Sequence, residues 1–366
     1  MAGNVLNFYA GGNTARGFVS LFDSSLQGLD RVYILIGGPG TGKSGIIQEI
    51  GDELASAGHD IWSIHCASDN GSLDGVIVPA LSVAIVDGTA PRVIEPRLPG
   101  VVEQYVNLGE AWDTARLGER KSEIASLYAG IRNAYERAYD GFAEALRIHD
   151  EWEAIYIGKM NFQAADELTA AFSRELFGDR KRDRKSRVDR RFLGAATPLG
   201  AVDFVPNLTE GLAKRYFIKG RAGSGKSTLL KKLAAEAVDR GFDVEIYHCG
   251  FDPNSLDMVV LRELGIAVFD STAPHEYFPD RPTDEIVDMY ERCIEPGTDE
   301  AYAEALDDIK ERYSARMKAS IACLAEAKSL HDELKRIYAA ATDFGAVERM
   351  KRRILREIAG LSAARG

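Results

Sequence analysis

The sequence predicts an α/β protein made of two similar halves, each a parallel sheet with flanking helices that continues into a long helical hairpin. Three observations lead to this prediction. The chain aligns with itself at a constant offset of 183 residues, each half alternates apolar strand-like runs with helical patterns, and each half places a glycine-rich turn between a run and a helix. At roughly 150 residues per domain, a chain of 366 residues also suits two domains.

The internal repeat is extensive. Residues 31–97 align without a gap on residues 214–280, and 23 of these 67 positions are identical. The similarity continues at an offset of 182, where His149-Asp150-Glu151 recurs as His331-Asp332-Glu333. We therefore expect that an entire half was duplicated.

Within each half the elements follow one order: a strand, the glycine-rich turn, a helix ending near Gly58 or Gly241, and two further strands. Strands that alternate with helices favour a parallel sheet. The strands are expected at 32–36, 61–65 and 83–87 in the first half and at 216–218, 244–248 and 266–270 in the second.

After these strands, apolar residues recur at spacings of three and four, which is typical of one face of a long helix. A shorter helix follows at about 163–177 and 345–359, so each half is expected to end in a hairpin. Residues 178–191 carry eight basic and three acidic side chains without apolar periodicity and are interpreted as a linker. The predicted units are a first core at 1–113, a first hairpin at 114–177, this basic linker, a second core at 192–298 and a second hairpin at 299–366.

Composition restricts the class of protein. Apolar residues make up 45% of the chain, and no apolar run is long enough to cross a membrane. Four scattered cysteines do not form a disulfide framework, and the first residues do not resemble a signal peptide, which favours a cytoplasmic protein with no membrane association. The net charge of −11 opposes nucleic-acid binding.

The motif that carries the most chemistry is GxxxxGK[ST], which occurs once in each half at equivalent positions. Its glycines let backbone amides surround phosphate groups at a helix N-terminus, its lysine contacts the β and γ phosphates, and its serine binds Mg²⁺. The predicted nucleotide-binding residues are Gly37, Gly38, Pro39, Gly40, Thr41, Gly42, Lys43 and Ser44 in the first half, and Gly220, Arg221, Ala222, Gly223, Ser224, Gly225, Lys226, Ser227 and Thr228 in the second.

Asp87 and Asp270 each end an apolar strand and are predicted to bind Mg²⁺ together with Ser44 and Ser227. The alternative is that each aspartate caps the turn that follows it. Neither aspartate is followed by a glutamate. Many motor ATPases use such an Asp-Glu pair to polarise water, so the sequence does not predict rapid hydrolysis.

Asp69 and Asp252 follow the second strand of each half, at the sheet edge where ligands bind in open α/β sheets. The predicted catalytic residues are Asp69 and Asp252, which would orient water or an acceptor hydroxyl, and Lys43 and Lys226, which would stabilise the charge on the phosphates. Alternatively, the aspartates cap a local turn and the preceding histidines pack against the sheet.

A few other histidines, cysteines and arginines are considered for a role in a site. A zinc site at His65-Cys66 or His248-Cys249 lacks a second ligand pair, and His149 and His331 are interpreted as structural residues. Arg191 is considered as a side chain that reaches a phosphate across the domain boundary. Arg221, opposite Gly38 in the repeat, adds a charge to the second loop, which predicts that the sites differ.

The two Walker-type motifs, together with HCxxD, SLD and the runs DGTAPR and DSTAPH, resemble a little-characterised bacterial family of duplicated P-loop ATP-binding proteins, labelled ATPase or nucleotide-kinase-like. The resemblance covers nearly the whole chain and implies two tandem P-loop NTPase domains that bind ATP. The family pattern reads DGTAPH in both halves, whereas this chain has Arg92 in the first and His275 in the second.

These observations predict Mg²⁺-dependent ATP binding with hydrolysis, or phosphoryl transfer to an unknown small acceptor. The alternative is a nucleotide-gated switch whose long helices report the bound state to a protein partner. A third hypothesis, nucleic-acid handling through residues 178–191, is opposed by the net charge.

Overall fold

The computed structural model of the chain describes residues 2–363. Residue 1 of the predicted first core and residues 364–366 of the predicted second hairpin therefore lie outside the described residues. Within the described range, no helix combines the length and apolar character needed to cross a membrane.

The first half contains eight strands and five α-helices in the order found along the chain. They are β1 (Val5–Phe8), β2 (Gly11–Thr14), β3 (Gly17–Ser20), α1 (Phe22–Ser25), β4 (Arg31–Ile36), α2 (Lys43–Ser56), β5 (Ile61–His65), β6 (Leu73–Val78), β7 (Val83–Asp87), β8 (Glu103–Asn107), α3 (Thr114–Glu119), α4 (Lys121–Ile157) and α5 (Phe162–Phe177).

The second half follows nearly the same succession, with different short helices before its long helix. Its elements are β9 (Val188–Phe192), β10 (Gly194–Thr197), β11 (Gly200–Asp203), α6 (Val205–Thr209), β12 (Lys214–Lys219), α7 (Lys226–Asp239), β13 (Val244–His248), β14 (Leu256–Leu261), β15 (Ile266–Asp270), β16 (Glu285–Asp288), α8 (Met289–Cys293), α9 (Thr298–Ala301), α10 (Ala303–Ala340) and α11 (Phe344–Ala363).

Each half has one six-stranded sheet, and the strand orders correspond: β1-β5-β6-β7-β4-β8 and β9-β13-β14-β15-β12-β16. The predicted α/β class is confirmed, but the sheets are mixed, because β6 and β14 run antiparallel to both neighbours. The connection from β5 to β6 is a short turn, which can join only antiparallel strands. The predicted parallel arrangement therefore holds for most strand pairs of each six-stranded sheet, but the prediction missed the antiparallel β6 and β14.

A third sheet joins the halves. Its four strands, in the order β11-β10-β2-β3, are antiparallel, and the pairing across the halves places Asn13 opposite Ala196. Tyr9 and Phe192 exchange two backbone hydrogen bonds nearby, at 3.0 and 2.9 Å. Both pairs join residues that are 183 positions apart, so the offset that aligns the halves in sequence also describes an approximate two-fold relation in space.

The long helices α4 and α10, of 37 and 38 residues, pack along one another. Arg137 pairs with Glu326, and Arg312 pairs with Glu151, so residue numbers rise along one helix as they fall along the other. The helices are therefore antiparallel, and each is about 55 Å long at 1.5 Å per residue. Their apolar faces bury Leu127 and Phe142 from α4 and Leu324 from α10.

The shorter helices cross to the opposite half. Phe172, Leu176 and Phe177 of α5 belong to the core of the second half, where α5 packs on α7 and α8. Ile354 and Ile358 of α11 belong to the core of the first half, where α11 packs on α2. The two predicted hairpins therefore do not form; each long helix instead carries its short helix to the other half.

The predicted linker also needs correction at its end, because Val188–Phe192 is strand β9, which pairs in parallel with β13. Some of the preceding basic residues are in ion pairs: the Arg184 guanidinium contacts Glu263 at 2.7 Å and Asp243 at 3.0 Å, and Arg182 contacts Glu263 at 3.6 Å. Neutralised charges on this segment do not favour nucleic-acid binding.

Candidate functional site

The first loop, residues 37–44, connects β4 to α2. Gly40 and Gly42 have φ values of +73° and +90°, in the left-handed region that glycine tolerates best. A Cβ built on Gly40 would lie 2.2 Å from the carbonyl oxygen of Lys335, so no side chain fits. The ammonium of Lys43 is buried and donates to the carbonyl oxygens of Gly37 and Gly38, at 2.7 and 2.8 Å.

The second loop, residues 220–227, repeats this geometry between β12 and α7. Gly223 and Gly225 have φ values of +71° and +88°, and a Cβ on Gly223 would lie 2.6 Å from the carbonyl oxygen of Glu153. The Lys226 ammonium donates to the carbonyl oxygen of Arg221 at 2.8 Å. Both loops therefore fold back on their own lysine and are closed by a helix of the opposite half.

Each loop ends at the N-terminus of a helix that has no side-chain cap in the described residues. These helices, α2 and α7, have 14 residues each and begin at the loop lysine. The first amides of a helix need acceptors and carry a partial positive charge, which favours an anion there. The positive φ of Gly42 and Gly225, the residues just before each helix, lets the loop backbone approach such a ligand closely.

The residues predicted to bind Mg²⁺ lie beside the lysines. Asp87 Oδ2 is 3.9 Å from the Lys43 ammonium, and Asp270 Oδ2 is 3.5 Å from that of Lys226. In each case Oδ1 accepts hydrogen bonds from the backbone and hydroxyl of the threonine two residues later. The aspartates thus cap the following turn with one oxygen, as the alternative interpretation predicts, and the other oxygen lies near the loop lysine; the Mg²⁺ role stays a prediction.

Ser44 and Ser227 occupy equivalent positions at the start of α2 and α7. The hydroxyl oxygen of Ser44 accepts a hydrogen bond from the backbone amide of Leu73, and that of Ser227 accepts one from Leu256, both at 3.0 Å. Each bond anchors the first turn of a helix to the first residue of β6 or β14. Each hydroxyl oxygen has a second lone pair, through which it would coordinate Mg²⁺.

A buried charged cluster, which sequence reasoning missed, lies beside the first loop. The Arg92 guanidinium is 3.4 Å from Asp74 and 3.5 Å from Asp87, and its side chain is 10% exposed. Burial raises the pKa of Asp74 to about 6, although Arg92 opposes that rise. Burial also lowers the pKa of Lys43, an effect that Asp87 opposes. The first loop therefore has two cations and two carboxylates in one poorly solvated region.

The corresponding cluster in the second half replaces the arginine with a histidine. Nδ1 of His275 lies 2.7 Å from Asp203 Oδ2, while the Tyr277 hydroxyl donates to Asp203 Oδ1 at 2.6 Å. Burial raises the pKa of Asp257 to about 6, and its Oδ2 has no hydrogen-bond partner among the described residues. Burial lowers the pKa of His275, but the carboxylates of Asp203 and Asp257 raise it by more, so that the pKa is above its usual value.

Asp69 lies on the turn between β5 and β6. Its carboxylate accepts hydrogen bonds from the Ser72 hydroxyl at 2.8 Å and from the Lys335 ammonium of α10 at 2.5 Å. Partial burial raises the pKa of Asp69, but the bonds from Lys335 and Ser72 outweigh it and lower the pKa to about 2. A carboxylate of such low pKa can orient a hydroxyl but is a weak general base.

Asp252 has the equivalent place in the second half and also contacts a cation. Nε of Arg16, from the turn between β2 and β3, donates to Asp252 Oδ1 at 2.9 Å. Asp252 Oδ1 also accepts from the backbone amide of Asn254 at 3.2 Å. Both candidate aspartates are therefore held by a local turn and by a cation from the other half.

Aromatic residues of the long helices also cover the loops. A Cβ on Gly38 would lie 2.8 Å from the ring of Tyr338, which packs edge-on against Trp112. At the second loop, the hydroxyl of Tyr156 donates to Asp299 at 2.8 Å, and Asp299 in turn contacts Arg221 at 2.9 Å. The sequence signal for these residues is that Ile155-Tyr156 recurs as Ile337-Tyr338, at the offset of 182.

Two arginines that were considered from the sequence have partners within the protein. The Arg221 guanidinium pairs with Asp299 and lies over the ring of Tyr290 at 4.6 Å, so its charge is already balanced. Arg191 is fully buried, with its guanidinium 4.4 Å from the rings of Phe8 and Trp62. It joins the two halves at their interface, and the hypothesis that it contacts a phosphate was wrong in this structure.

The histidine and cysteine of each half do not form a metal site. His65 contacts Asn7 at 2.8 Å and the ring of Phe204, and burial lowers its pKa to about 4. Burial raises the pKa of the Cys66 thiol to about 12, so it stays protonated. In the described part of the chain, the one group of three or more histidine, cysteine or acidic side chains whose ligand atoms lie close together is His149, Asp150 and Glu153.

The histidines of the long helices lie near the candidate sites. His149 packs among Trp152, Phe251 and Tyr313, and its Nδ1 is 3.9 Å from Glu153. Burial lowers the pKa of His331 to about 4, and the neighbouring Lys335 lowers it further. Both rings are therefore packed side chains that border the sites.

The chain was compared with protein-family models, with curated proteins and with solved structures, and none of the three comparisons gave a match.

Proposed function

We propose that the chain binds two molecules of ATP with Mg²⁺, one at each glycine-rich loop, and transfers the terminal phosphoryl group to water or to a small acceptor. In this proposal the halves are two P-loop NTPase domains that arose by tandem duplication. One observation carries it: each loop buries a lysine next to a strand-end aspartate, with the Nζ–Oδ2 distances of 3.9 and 3.5 Å given above. An isolated motif would not require this repeated arrangement.

The loop amides and Lys43 would hold the phosphates at the first site, and the second loop and Lys226 would do so at the second. Ser44 with Asp87, and Ser227 with Asp270, would hold Mg²⁺ directly or through water. When bound, Mg²⁺ supplies charge neutralisation on the phosphate oxygens. These residues position the terminal phosphate at the carboxyl ends of the strands, where ligands of open α/β sheets bind.

Asp69 and Asp252 would orient the attacking group in this proposal. The low pKa of Asp69 makes its carboxylate a hydrogen-bond acceptor rather than a base that removes a proton. The attacking group should therefore be a hydroxyl that groups other than Asp69 activate. Glycine and serine follow Asp87 and Asp270, where motor ATPases have a glutamate that polarises water. We therefore expect slow hydrolysis and faster transfer once the correct acceptor is present.

The test is Mg²⁺-dependent phosphate release from ATP by the full-length protein. The double variant Lys43→Ala/Lys226→Ala should lose release, and EDTA should abolish it in the wild type. Lys318→Ala, which removes an exposed lysine of α10, is the matched control and should behave as wild type. Equal release by the wild type and the double variant would exclude turnover at these loops.

A second candidate, a nucleotide-gated switch, is favoured by the contact between each loop and the long helix of the other half. Tyr338 and Lys335 touch the first loop, and Glu153 touches the second. Nucleotide at either loop would therefore act on the α4–α10 pair, which a protein partner could read. X-ray scattering profiles with and without Mg²⁺-ATP should differ under this hypothesis, and superimposable profiles would remove its basis.

A further inference from the structure

A cation from the opposite half contacts each of the two equivalent aspartates. Lys335 of α10 reaches Asp69 in the first half at 2.5 Å, and Arg16 reaches Asp252 in the second half at 2.9 Å. Lys335 belongs to a long helix, whereas Arg16 belongs to the turn of the small joining sheet. Two unrelated elements therefore deliver a positive charge to the same position of each site.

The repeat did not create this arrangement by copying one residue. At the offset of 182, Lys335 corresponds to Glu153, and at the offset of 183, Arg16 corresponds to Leu199. Neither counterpart is a cation. An aspartate at the same position of both halves thus has cations from different elements beside it. At the first site they come from α10, where Lys328 also lies 3.6 Å from Asp69, and at the second site the cation is Arg16.

Stability alone gives little reason for both pairs. The side chains of Lys335 and Asp69 are 30% and 15% exposed, and those of Arg16 and Asp252 are 48% and 21% exposed. Ion pairs with solvent access contribute only about 0–1 kcal/mol to folding, because water screens them and long side chains lose entropy. A chemical role in the site explains the repeated placement better than a structural one.

We propose that Lys335 and Arg16 are trans-acting phosphate-contact residues: each leaves its aspartate and contacts the terminal phosphate of a nucleotide bound at the loop of the other half. This inference rests on the proposed function and deepens it. It makes each site incomplete without the opposite half. A cation supplied from outside a nucleotide-binding core can neutralise charge on the transferred phosphoryl group.

The geometry at the first site supports this role. The carbonyl oxygen of Lys335 would be 2.2 Å from a Cβ on Gly40, so the Lys335 backbone lies directly against the phosphate-binding loop. Its ammonium is close enough to Lys43 to lower the pKa of that lysine electrostatically. A flexible side chain anchored there needs only a change of rotamer to exchange a carboxylate for a phosphate oxygen.

Arg16 at the second site has a similar freedom. Its side chain is 48% exposed, and its guanidinium contacts the Asp252 carboxylate at 2.9 Å and the side-chain amide oxygen of Asn254 at 3.1 Å. The planar guanidinium can contact two phosphate oxygens at once. Release from Asp252 would also leave that carboxylate available to an acceptor hydroxyl.

The experiment measures ATP and ADP affinities by calorimetry with one site left intact. The Lys226→Ala background isolates the first site, where Lys335→Gln should weaken ATP about tenfold to a hundredfold and leave ADP within about twofold. Lys335→Arg should retain ATP affinity within about threefold because the charge remains. Lys318→Gln, an exposed lysine of the same helix, is the control and should match the background.

Asp69→Asn separates phosphate contact from packing, because it breaks the same ion pair but keeps the cation. We expect ATP affinity equal to or above that of the background. Equal losses in Asp69→Asn and Lys335→Gln, or unchanged ATP affinity in Lys335→Gln, would overturn the inference. Failure of the Lys226→Ala background itself to bind ATP would instead overturn the proposed function, and the inference with it.

The second site has its own test in the Lys43→Ala background. Arg16→Gln should weaken ATP and spare ADP, whereas Asp252→Asn should not weaken ATP. The thermal unfolding midpoint of every variant identifies any that misfold, and Arg16→Lys retains a charge if Arg16→Gln proves unstable. Equal ATP and ADP losses in Arg16→Gln would contradict a terminal-phosphate contact.

Discussion

The two clusters beside the glycine-rich loops have the same backbone and different charges. In the first half, Arg92 lies between Asp74 and Asp87 and is positively charged at every accessible pH. In the second half, His275 contacts Asp203 and lies close to Asp257, and its charge depends on pH. The comparison teaches that similar loops need not be equivalent sites, since their electrostatic surroundings have diverged.

The interface of the halves shows the same principle. Phe8 and Arg191 occupy equivalent positions of β1 and β9, 183 residues apart, and they stack on each other. The guanidinium lies 3.8 Å from Asp189 and from Glu245, and its nitrogens have no hydrogen-bond partner in the described part of the chain. The ring of Phe8 and two carboxylates therefore surround the buried Arg191 guanidinium. An exact duplication of the first half would have placed a second phenylalanine at position 191.

The largest effect is expected from Arg191→Ala. Removal of this cation leaves the buried carboxylates of Glu245 and Asp189 with less compensation, which should cost about 3–5 kcal/mol of unfolding free energy. Denaturant unfolding followed by circular dichroism measures the loss. Arg187→Ala removes a partly exposed partner of Asp189 and should cost only about 0–1 kcal/mol. Similar small losses in both variants would show that Arg191 does not hold the halves together.

The second-largest effects are expected from substitution of the two loop lysines. Lys43→Ala and Lys226→Ala should each weaken nucleotide at their own site by about 1.5–3 kcal/mol, or tenfold to a hundredfold, through loss of a charge-assisted contact. We expect the two variants to reduce phosphate release unequally, because Arg92 and His275 differ beside them. Binding and phosphate release measured separately for each variant decide this, and identical losses would contradict functional divergence.

A pair of glycine substitutions tests how closely the long helix contacts the first loop. Gly40→Ala combines positive φ with a clash against the Lys335 backbone and should destabilise the protein by about 1–3 kcal/mol. Gly45→Ala meets open space in α2 and should stabilise it by about 0.5–1 kcal/mol. Thermal unfolding compares the two; a neutral Gly40→Ala would mean that α10 does not press on the loop.

The smallest effect concerns pH. The pKa of His275 is raised in the folded protein, so its protonated form contributes stability that is complete below the unfolded pKa of about 6.5. That contribution is lost as pH rises through the folded pKa. Denaturant unfolding between about pH 6 and 8 should therefore show a steeper decline for wild type than for His275→Gln. Parallel pH profiles would indicate that His275 does not change protonation in this range.

The sequence predicted the parts of the fold that depend on local pattern. The strand at 61–65 was predicted at its observed bounds, because its apolar residues and the surrounding turn signals are contiguous in the chain. Both glycine-rich loops were predicted for the same reason, since eight adjacent residues contain the motif. The α/β class followed from the alternation of these elements.

Contacts between the halves could not be predicted in this way. The apolar stripe of α4 indicates a helical partner but does not distinguish its own hairpin neighbour from α10. Lys335 and Asp69 are 266 residues apart, and only the exchange of helices brings them together. The antiparallel β6 was not predicted, and its pairing with β5 and β7 is also a contact between segments that are separate in the chain. The unpredicted part of the site is therefore the part built from long-range contacts.

Nucleotide stoichiometry is the most direct test of the account. Calorimetric titration of the wild type with ATP and Mg²⁺ should give two bound nucleotides per chain, and titration of Lys43→Ala and of Lys226→Ala should give one tight site each. The double variant should bind none tightly. A wild type that binds no ATP, or single variants that both keep two tight sites, would contradict the assignment of these loops as two nucleotide-binding sites.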